Sequence, residues 1–195
     1  MRPAKGSTVG NLSFAQTPIG GVAVIHTQAA SDSRGSFVRA FGVVEMQGLN
    51  ATPFKVRQIN LSRTAIRGSV RGMHAQRPPA AESKIVRVIR GSIFDVAVDI
   101  RKGSPTFMKW FGVELSQGNG LQLLLPEGVA HGFQTLCDDV EMLYMHTADF
   151  DPNLEVRLHY SDPRLAIAWP LGVTEVSDRD RSASFLDDTF QGIEQ

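Results

Sequence analysis

Short segments of alternating apolar and polar residues, separated by glycine, proline and asparagine, are the feature that most limits how this chain can fold. The clearest lies at residues 93–100, where one face holds Phe94, Val96, Val98 and Ile100. A repeat of two residues is that of a β-strand, because successive side chains of a strand point to opposite faces. We therefore predict a strand here and not an amphipathic helix.

The same alternation recurs along the chain at short intervals. It predicts further strands at residues 21–26, 36–41, 56–62, 84–89, 110–115, 121–125 and 140–146, with turns at residues 103–105 and 117–120. Helix is expected only near residues 44–48 and after Ser182. Many short strands without interleaved helices favour a mainly β protein, an antiparallel sandwich or barrel of the jelly-roll kind with a few short helices.

Length and charge exclude several classes of protein. The chain has 195 residues, which fits a single domain spanning residues 1–195. Lysine and arginine together number 20, as do aspartate and glutamate, so no basic surface for nucleic acid is expected. Cys137 is the only cysteine and cannot form an internal disulfide, and no apolar run approaches the roughly 20 residues of a membrane span. We expect a soluble cytoplasmic protein without nucleic-acid or membrane partners.

Two residues with acid–base chemistry flank a proline-rich loop. His74 precedes the loop and Lys84 follows it. An imidazole exchanges protons near neutral pH, and an ammonium stabilises developing negative charge. Together they suit the removal of a proton from a carbon beside a carbonyl group.

Two predicted strands carry polar residues on one face. In the first, Gln58, Asn60 and Ser62 share a face, and in the second, Tyr144 and His146 share a side. Two interpretations stay open: a sheet face that is exposed to water, or the polar lining of a barrel that is open at one end and binds a polar ligand.

A series of sequence blocks resembles those of one enzyme family. The blocks are DSRGSF at residues 32–37, QINLS at 58–62, RGMHAQ at 71–76, KIV at 84–86, DVAVDIRKGSPTF at 95–107, PEGVAHGF at 126–133, the strand of Tyr144, YSDP at 160–163, WP at 169–170 and SDRD at 177–180. By these blocks the chain resembles the dTDP-4-dehydrorhamnose 3,5-epimerase family of nucleotide-sugar epimerases. The resemblance implies a cupin-type antiparallel jelly-roll β-barrel over about residues 20–185, with short N-terminal and C-terminal extensions.

The resemblance also implies a reaction. The family acts on a 4-keto-6-deoxy sugar carried by a nucleoside diphosphate, of the dTDP-4-dehydro-6-deoxyglucose type, and inverts C3, C5 or both through an enolate. Carried over residue by residue, His74 is the base and Asp180 hydrogen-bonds the other nitrogen of its ring. Tyr144 is the acid on the opposite face of the sugar, and Lys84 lies beside the enolate oxygen. A phenol suits this role because it stays protonated at neutral pH.

The same resemblance implies how the substrate is held. The residues that it assigns to substrate binding are Arg34, Phe37, Gln58, Asn60, Arg71 and His131. Of these the arginines and amides meet the diphosphate, because a guanidinium fork can bind two phosphate oxygens together. No cofactor and no metal are implied. The family is usually a homodimer in which a strand of one subunit extends the neighbour's sheet.

Arg71 and His74 would point to opposite sides of a regular strand. Gly72 lies between them and permits a β-bulge, which would turn both side chains inward. We predict such a bulge.

Two other functions are weighed against the epimerase. A metal-dependent cupin enzyme needs three or four protein ligands, whereas His74 and His131 supply two. A non-catalytic jelly roll that binds a sugar nucleotide does not need a base and an acid on opposite faces. A metal-independent epimerase is therefore favoured.

Two residues depart from the family pattern. Arg39 stands where many members have glutamate, and Phe150 stands where they have an aromatic hydroxyl. Neither change touches the proposed acid or base. Both leave the nucleoside diphosphate, the sugar and the pathway open, and the sequence does not show whether C3, C5 or both are inverted.

The other histidines and two aspartates have simpler interpretations. His26, His146 and His159 are interpreted as hydrogen-bonded structural residues. Asp95 and Asp99 lie opposite the apolar stripe of their strand and are also interpreted as structural.

Overall fold

Strands form most of the regular structure in the computed structural model, which describes residues 8–9, 12–46 and 54–194. The strands are β1 Thr8–Val9, β2 Leu12–Gln16, β3 Ala23–Thr27, β4 Ala29–Asp32, β5 Gly35–Val38, β6 Gln58–Thr64, β7 Val70–Gln76, β8 Lys84–Arg90, β9 Ser92–Asp99, β10 Trp110–Ser116, β11 Gln122–Leu125, β12 Val129–Thr135, β13 Val140–His146 and β14 Glu155–Arg157. The helices are α1 Val43–Met46 and α2 Asp178–Arg181. None of the described helices is long and apolar enough to cross a bilayer.

The strands form two large sheets and one hairpin. A seven-stranded sheet has the order β1-β2-β3-β11-β8-β13-β6, and a five-stranded sheet has the order β10-β9-β12-β7-β14. The hairpin consists of β4 and β5. The named strands pair antiparallel with their neighbours, and neighbours in space are often distant in sequence because the chain crosses repeatedly between the sheets. The predicted antiparallel jelly roll is confirmed.

The main core lies between the two large sheets. Val86 and Leu123 of the seven-stranded sheet cluster with Ile93, Ala97 and Phe133 of the five-stranded sheet, and each is at most 2% exposed. Burying a large apolar side chain stabilises a fold by about 1.5–3 kcal/mol. This packing fixes the separation of the sheets and therefore the walls of any cavity between them.

Strand β9 is buried on both faces. Ile93 and Ala97 face the core between the sheets, whereas Val98 clusters with Leu165 from the C-terminal part of the chain. The apolar stripe predicted at residues 93–100 therefore lies under that C-terminal segment. The carboxylate of Asp95 lies on the opposite face of the strand and is completely buried.

Most predicted strands are observed with small shifts at their ends, but one predicted strand is too long and one predicted helix is wrong. The strand predicted at residues 36–41 ends at Val38. The helix predicted after Ser182 is wrong, because α2 ends at Arg181 and the following chain is held by the N–H of Leu186, which donates to Asp162 Oδ2 at 2.6 Å. The helix predicted at residues 44–48 is α1, and its last two predicted residues lie outside the described part of the chain.

A bulge in β7 opposite β12 is present as predicted. His74 pairs with His131 and Arg71 pairs with Phe133, so three steps along β7 oppose two steps along β12. Gly72 has φ 110°, and a Cβ there would lie 2.6 Å from the carbonyl oxygen of His131. Only glycine fits such a backbone, which brings the side chains of Arg71 and His74 to the same cavity.

We expect Gly72→Ala to lower the free energy of unfolding by about 1–3 kcal/mol, because the new Cβ meets backbone and the left-handed φ is strained. Denaturant unfolding measures this loss. Gly20→Ala is the control, since Gly20 has no atom within 4 Å of an added Cβ. Equal stability of the two variants would contradict the account of the bulge.

Candidate active site

A cavity of about 590 Å³ opens between the two large sheets. The five-stranded sheet contributes Arg71 and His74 from β7 and His131 from β12, while Tyr144 of β13 and Lys84 of β8 come from the seven-stranded sheet. The cavity is also lined by Asn60 and Asp180. The site residues proposed for the acid–base chemistry therefore share one cavity.

His74 is held by a carboxylate from the far end of the chain. Its Nε2 lies 2.6 Å from Oδ1 of Asp180, and Oδ2 of the same aspartate accepts the N–H of Gly72 at 3.2 Å. Although burial alone would raise the pKa of Asp180, the hydrogen bond and charge of His74 hold it below the usual range. An ionised aspartate bonded to Nε2 makes that nitrogen the N–H donor, which leaves Nδ1 with a free lone pair.

The position of Asp180 follows from the local structure around α2. Ser177 caps this short helix, since its side chain accepts the N–H of Asp180 at 3.1 Å. The preceding residue, Val176, forms a parallel bridge with Val70 at the start of β7. The C-terminal segment is thereby attached beside the strand that carries His74.

Tyr144 lies on the opposite sheet from His74. Its hydroxyl is 3.2 Å from Oγ of Ser62, on the neighbouring strand β6. Burial is the main cause that raises the pKa of Tyr144 to about 12. The phenol therefore keeps its proton at neutral pH and can donate it.

His131 carries a second buried carboxylate partner. Its Nε2 lies 2.7 Å from Oδ1 of Asp95, whose other oxygen, Oδ2, has no hydrogen-bond partner among the described residues. Burial raises the pKa of Asp95 above its usual value, and the neighbouring His131 opposes that rise. The ring of His131 also meets the edge of Tyr144, with centroids 6.2 Å apart. The sequence predicts a structural role for Asp95. Its hydrogen bond to His131 also connects it to the cavity.

Lys84 forms a buried ion pair that was not predicted from the sequence. Its Nζ lies 2.9 Å from Oε1 of Glu82, and Oε2 of Glu82 lies 2.7 Å from Nδ1 of His146. Burial would raise the pKa of Glu82, yet His146 and Lys84 together lower it to about 2. His146, interpreted as a structural histidine, lines the cavity together with Glu82. Glu82 precedes Lys84 by two residues, a spacing that puts both side chains on one face of an extended chain.

Three of the predicted substrate-binding residues lie outside this cavity. Arg34 is in the β4–β5 hairpin, where its guanidinium pairs with Asp32 at 2.6 Å, and Phe37 of the same hairpin is 75% exposed. Gln58 is the first residue of β6, and its Oε1 accepts the N–H of Phe150 at 3.3 Å. Their roles in substrate binding stay predictions.

The two residues that depart from the family pattern have different surroundings. Arg39 forms an ion pair with Glu45 of α1, away from the cavity lining. Phe150 lines the cavity, and the guanidinium carbon of Arg179 lies 5.8 Å from the centre of its ring. Phe150 therefore keeps an aromatic face at the cavity without a hydroxyl.

Histidines and carboxylates in the cavity occur as separate pairs. No group of three histidine, cysteine or carboxylate side chains that could hold a metal ion is found within the described residues. His74, His131 and His146 are instead each hydrogen-bonded to a carboxylate of their own. Independence from metal stays a prediction for experiment.

The sequence model of the dTDP-4-dehydrorhamnose 3,5-epimerase family matches residues 16–188. A dTDP-4-dehydrorhamnose 3,5-epimerase of Sinorhizobium fredii is 40% identical over 182 residues, which is 93% of each chain. The chain belongs to the dTDP-4-dehydrorhamnose 3,5-epimerase family. This confirms the resemblance drawn from the sequence blocks.

Two further members of the dTDP-4-dehydrorhamnose 3,5-epimerase family illustrate its range. A dTDP-4-dehydrorhamnose 3-epimerase of Streptomyces niveus is 37% identical, over 87% of this chain and 82% of its own. The crystal structure of dTDP-6-deoxy-D-glucose-3,5-epimerase from Legionella pneumophila, in complex with dTDP-4-keto-L-rhamnose, has a TM-score of 0.87. It is 37% identical, and the match covers 94% of this chain and 99% of that one.

Tyr144 and Tyr160 are the two tyrosines of the chain, so one phenol can be titrated alone. In the Tyr160→Phe variant we expect little phenolate absorbance below pH 11, because burial raises the pKa of Tyr144 to about 12. Ultraviolet titration measures this, and the Tyr144→Phe variant identifies the signal. Ionisation near pH 10, the usual value for a tyrosine, would contradict the buried environment.

Proposed function

We propose that this protein inverts C3, C5 or both of a 4-keto-6-deoxy sugar carried by a nucleoside diphosphate, of the dTDP-4-dehydro-6-deoxyglucose type. One observation carries the proposal: an imidazole bonded to a carboxylate and a protonated phenol line one cavity from opposite sheets. A ring that lies between them is exposed to a base on one side and to an acid on the other. Family membership supports the same reaction.

His74 is proposed as the base. The C4 ketone acidifies the hydrogens on C3 and C5, and Nδ1 of His74 accepts one of them as a proton. Asp180 keeps the hydrogen on Nε2 and stabilises the imidazolium that forms, because the carboxylate is ionised and 2.6 Å away.

Lys84 and His131 are proposed to stabilise the enolate. Removal of the proton moves negative charge to the C4 oxygen, and both side chains line the cavity. A cation and a hydrogen-bond donor act strongly there because the site is buried and its effective dielectric constant is low.

Tyr144 is proposed as the acid that returns a proton to the opposite face of the carbon. Its hydroxyl is protonated at neutral pH and 3.2 Å from Ser62, whose hydroxyl can support the phenolate that remains. The guanidinium of Arg71 is proposed to bind the diphosphate, since it lies exposed at the cavity while its Nε donates to Thr64 at 2.9 Å. The amide of Asn60 also lines the cavity and is proposed to bind the diphosphate as well.

Incubation of the purified protein with dTDP-4-keto-6-deoxyglucose in deuterated water tests the proposal. We expect deuterium at C3, at C5 or at both, located by NMR, and the same rate in the presence of a chelator. Activity that is lost on chelation and restored by metal would favour a metal-dependent cupin enzyme. Binding of the nucleotide sugar without any exchange would favour a non-catalytic binding protein.

We expect His74→Asn to reduce deuterium incorporation by about 10²–10⁴-fold, because it removes the general base while leaving a polar side chain. NMR of the exchanged sugar measures the loss. His159→Asn is the matched control, since His159 bonds to Ser161 outside the cavity. Exchange at the normal rate in His74→Asn would exclude His74 as the base.

Tyr144→Phe separates proton removal from proton return. We expect net inversion to slow more than the first exchange of hydrogen with solvent, because the variant lacks the donor and keeps the base. Product formation and deuterium incorporation are followed in the same reaction. Equal loss of both rates would show that Tyr144 does not act as a separate acid.

Whether C3, C5 or both are inverted is left open by the proposal. The Streptomyces niveus relative is named a 3-epimerase and the Sinorhizobium fredii relative a 3,5-epimerase, at similar identity to this chain. The position of the label in the exchange assay distinguishes C3 from C5. We also propose that the protein acts as a single domain. We propose that it acts in the cytoplasm, since its single cysteine fits a reducing compartment.

A homodimer is proposed from the sheet edge at β6, which no other described strand covers. Strand β6 is the last strand of its sheet, and its Ile59 and Leu61 are 59% and 75% exposed. Exposed apolar edge strands tend to pair with another chain. A second copy that adds its β4–β5 hairpin to this edge would bring Arg34 and Phe37 of the partner subunit towards the cavity, which agrees with their predicted role in substrate binding.

We expect Ile59→Asp to convert the dimer to a monomer, because a charge on the edge opposes strand pairing. Light scattering measures the molar mass. Val173→Asp is the control, since Val173 is an exposed apolar residue outside the strands. A wild-type protein that is monomeric at all concentrations would contradict the proposal.

A further inference from the structure

A buried trio of charged and polar side chains lies in the cavity wall beside the proposed base and acid. Lys84 begins β8 and His146 ends β13, and the two residues are direct cross-strand partners. Glu82 precedes β8 and contacts both of them. Each oxygen of its carboxylate has one partner: Oε1 lies 2.9 Å from Nζ of Lys84, and Oε2 lies 2.7 Å from Nδ1 of His146.

All three side chains are removed from water although they line a cavity. Glu82 is 8% exposed, Lys84 6% and His146 9%. A buried charge is destabilising unless it is paired and hydrogen-bonded. Among the described residues, Glu82 is the carboxylate within ion-pair distance of Lys84. The ammonium therefore depends on Glu82 both for its place and for its counter-charge.

His146 connects this ion pair to the proposed acid. Its ring stacks on Tyr144 with centroids 6.0 Å apart and planes inclined by 17°. Its Nδ1 donates to Glu82 while its ring face contacts Tyr144, so the imidazole touches both the carboxylate and the phenol. A histidine that served only the core would not need a carboxylate partner in the cavity wall.

We propose that Glu82 and His146 are positioning residues for Lys84: Glu82 holds the ammonium at a fixed place in the cavity wall, and His146 fixes Glu82. The inference rests on the proposed function for what Lys84 does there, namely stabilising the enolate. The charges of Lys84 and Glu82 compensate each other. The site therefore presents a directed ammonium group without a large net charge beside the anionic substrate.

Other charged and titratable groups surround the trio. Asp95 of β9 interacts electrostatically with Lys84, and Asp95 is also bonded to His131 of β12. Arg71 of β7 acts on Tyr144 through its charge. On the side of β6, the residue opposite His146 is Gln58, which carries no charge.

NMR of the protein without substrate tests the positioning of Lys84 independently of activity. We expect a slowly exchanging NH₃⁺ signal from Lys84, assigned by its absence in Lys84→Met. The signal should disappear in Glu82→Gln, which removes the counter-charge with little change of shape, and persist in the control Glu114→Gln. Glu114 is exposed on β10 at the edge of the other sheet. A Lys84 signal that persists in Glu82→Gln would overturn the proposal.

Two replacements of His146 test the second contact, and they decide the question if Glu82→Gln does not fold. The amide of His146→Gln can still donate to Glu82, whereas His146→Phe keeps a ring on Tyr144 and loses the donor. We expect the Lys84 signal to persist in His146→Gln and to be lost in His146→Phe. The same result for both variants would exclude fixation of Glu82 through Nδ1.

Kinetics then separate positioning from a purely structural role. We expect Glu82→Gln to lower kcat by about a hundredfold with little change in KM, since a misplaced group affects the transition state more than binding. Glu82→Asp should recover part of the rate, because it restores a carboxylate. An unchanged kcat in Glu82→Gln would overturn the proposal, whereas a wild type without exchange activity would contradict the proposed function and leave the NMR result in force.

Discussion

The hydrogen bond between His74 and Asp180 connects two distant parts of the chain, and the arrangement of the cavity depends on it. The two residues are 106 positions apart in sequence, and their ring nitrogen and carboxylate oxygen are 2.6 Å apart. The bond fixes which imidazole nitrogen carries hydrogen. It also anchors the segment around α2 beside β7, because the second oxygen of Asp180 accepts the N–H of Gly72 at the bulge. Backbone geometry, tautomer and charge are therefore set by one carboxylate.

The same design recurs twice more in the cavity wall. His131 is paired with Asp95, and His146 is paired with Glu82, which also binds Lys84. Such buried pairs contribute little to stability compared with an apolar core, since removing charged groups from water offsets much of their attraction. The apolar packing between the sheets provides the rigidity that allows them to persist. The cavity can thus hold several charged groups in fixed positions.

The sequence predicted the fold class well because strand alternation and turn residues are local signals. The observed bounds of strands β8, β9, β10 and β13 lie within one residue of the predicted ones. Strands β7 and β12 were not predicted from alternation, since glycine and histidine interrupt it at Gly72, His74 and His131. Those interruptions are the positions where the strands serve the cavity. The bulge at Gly72 could be predicted because two side chains had to face the same way.

The partners of the site residues could be predicted less well, because they come from distant parts of the chain. The contact of Asp95 with His131 results from the pairing of β9 with β12, and the contact of His146 with Glu82 from the pairing of β13 with β8. Alternation indicates which residues share a face but not which strands become neighbours. Local propensity also failed after Ser182, where the chain follows Asp162 and the outer face of β9 instead of forming a helix.

The late position of Asp180 has a consequence for biosynthesis. All the described strands of the two sheets lie before residue 158, so the carboxylate that orients His74 is synthesised after them. The segment that carries Asp180 also covers the apolar outer face of β9. A polypeptide terminated after β14 would therefore leave that face in water and its imidazole without a fixed tautomer, so one segment completes both the packing and the chemistry of the cavity.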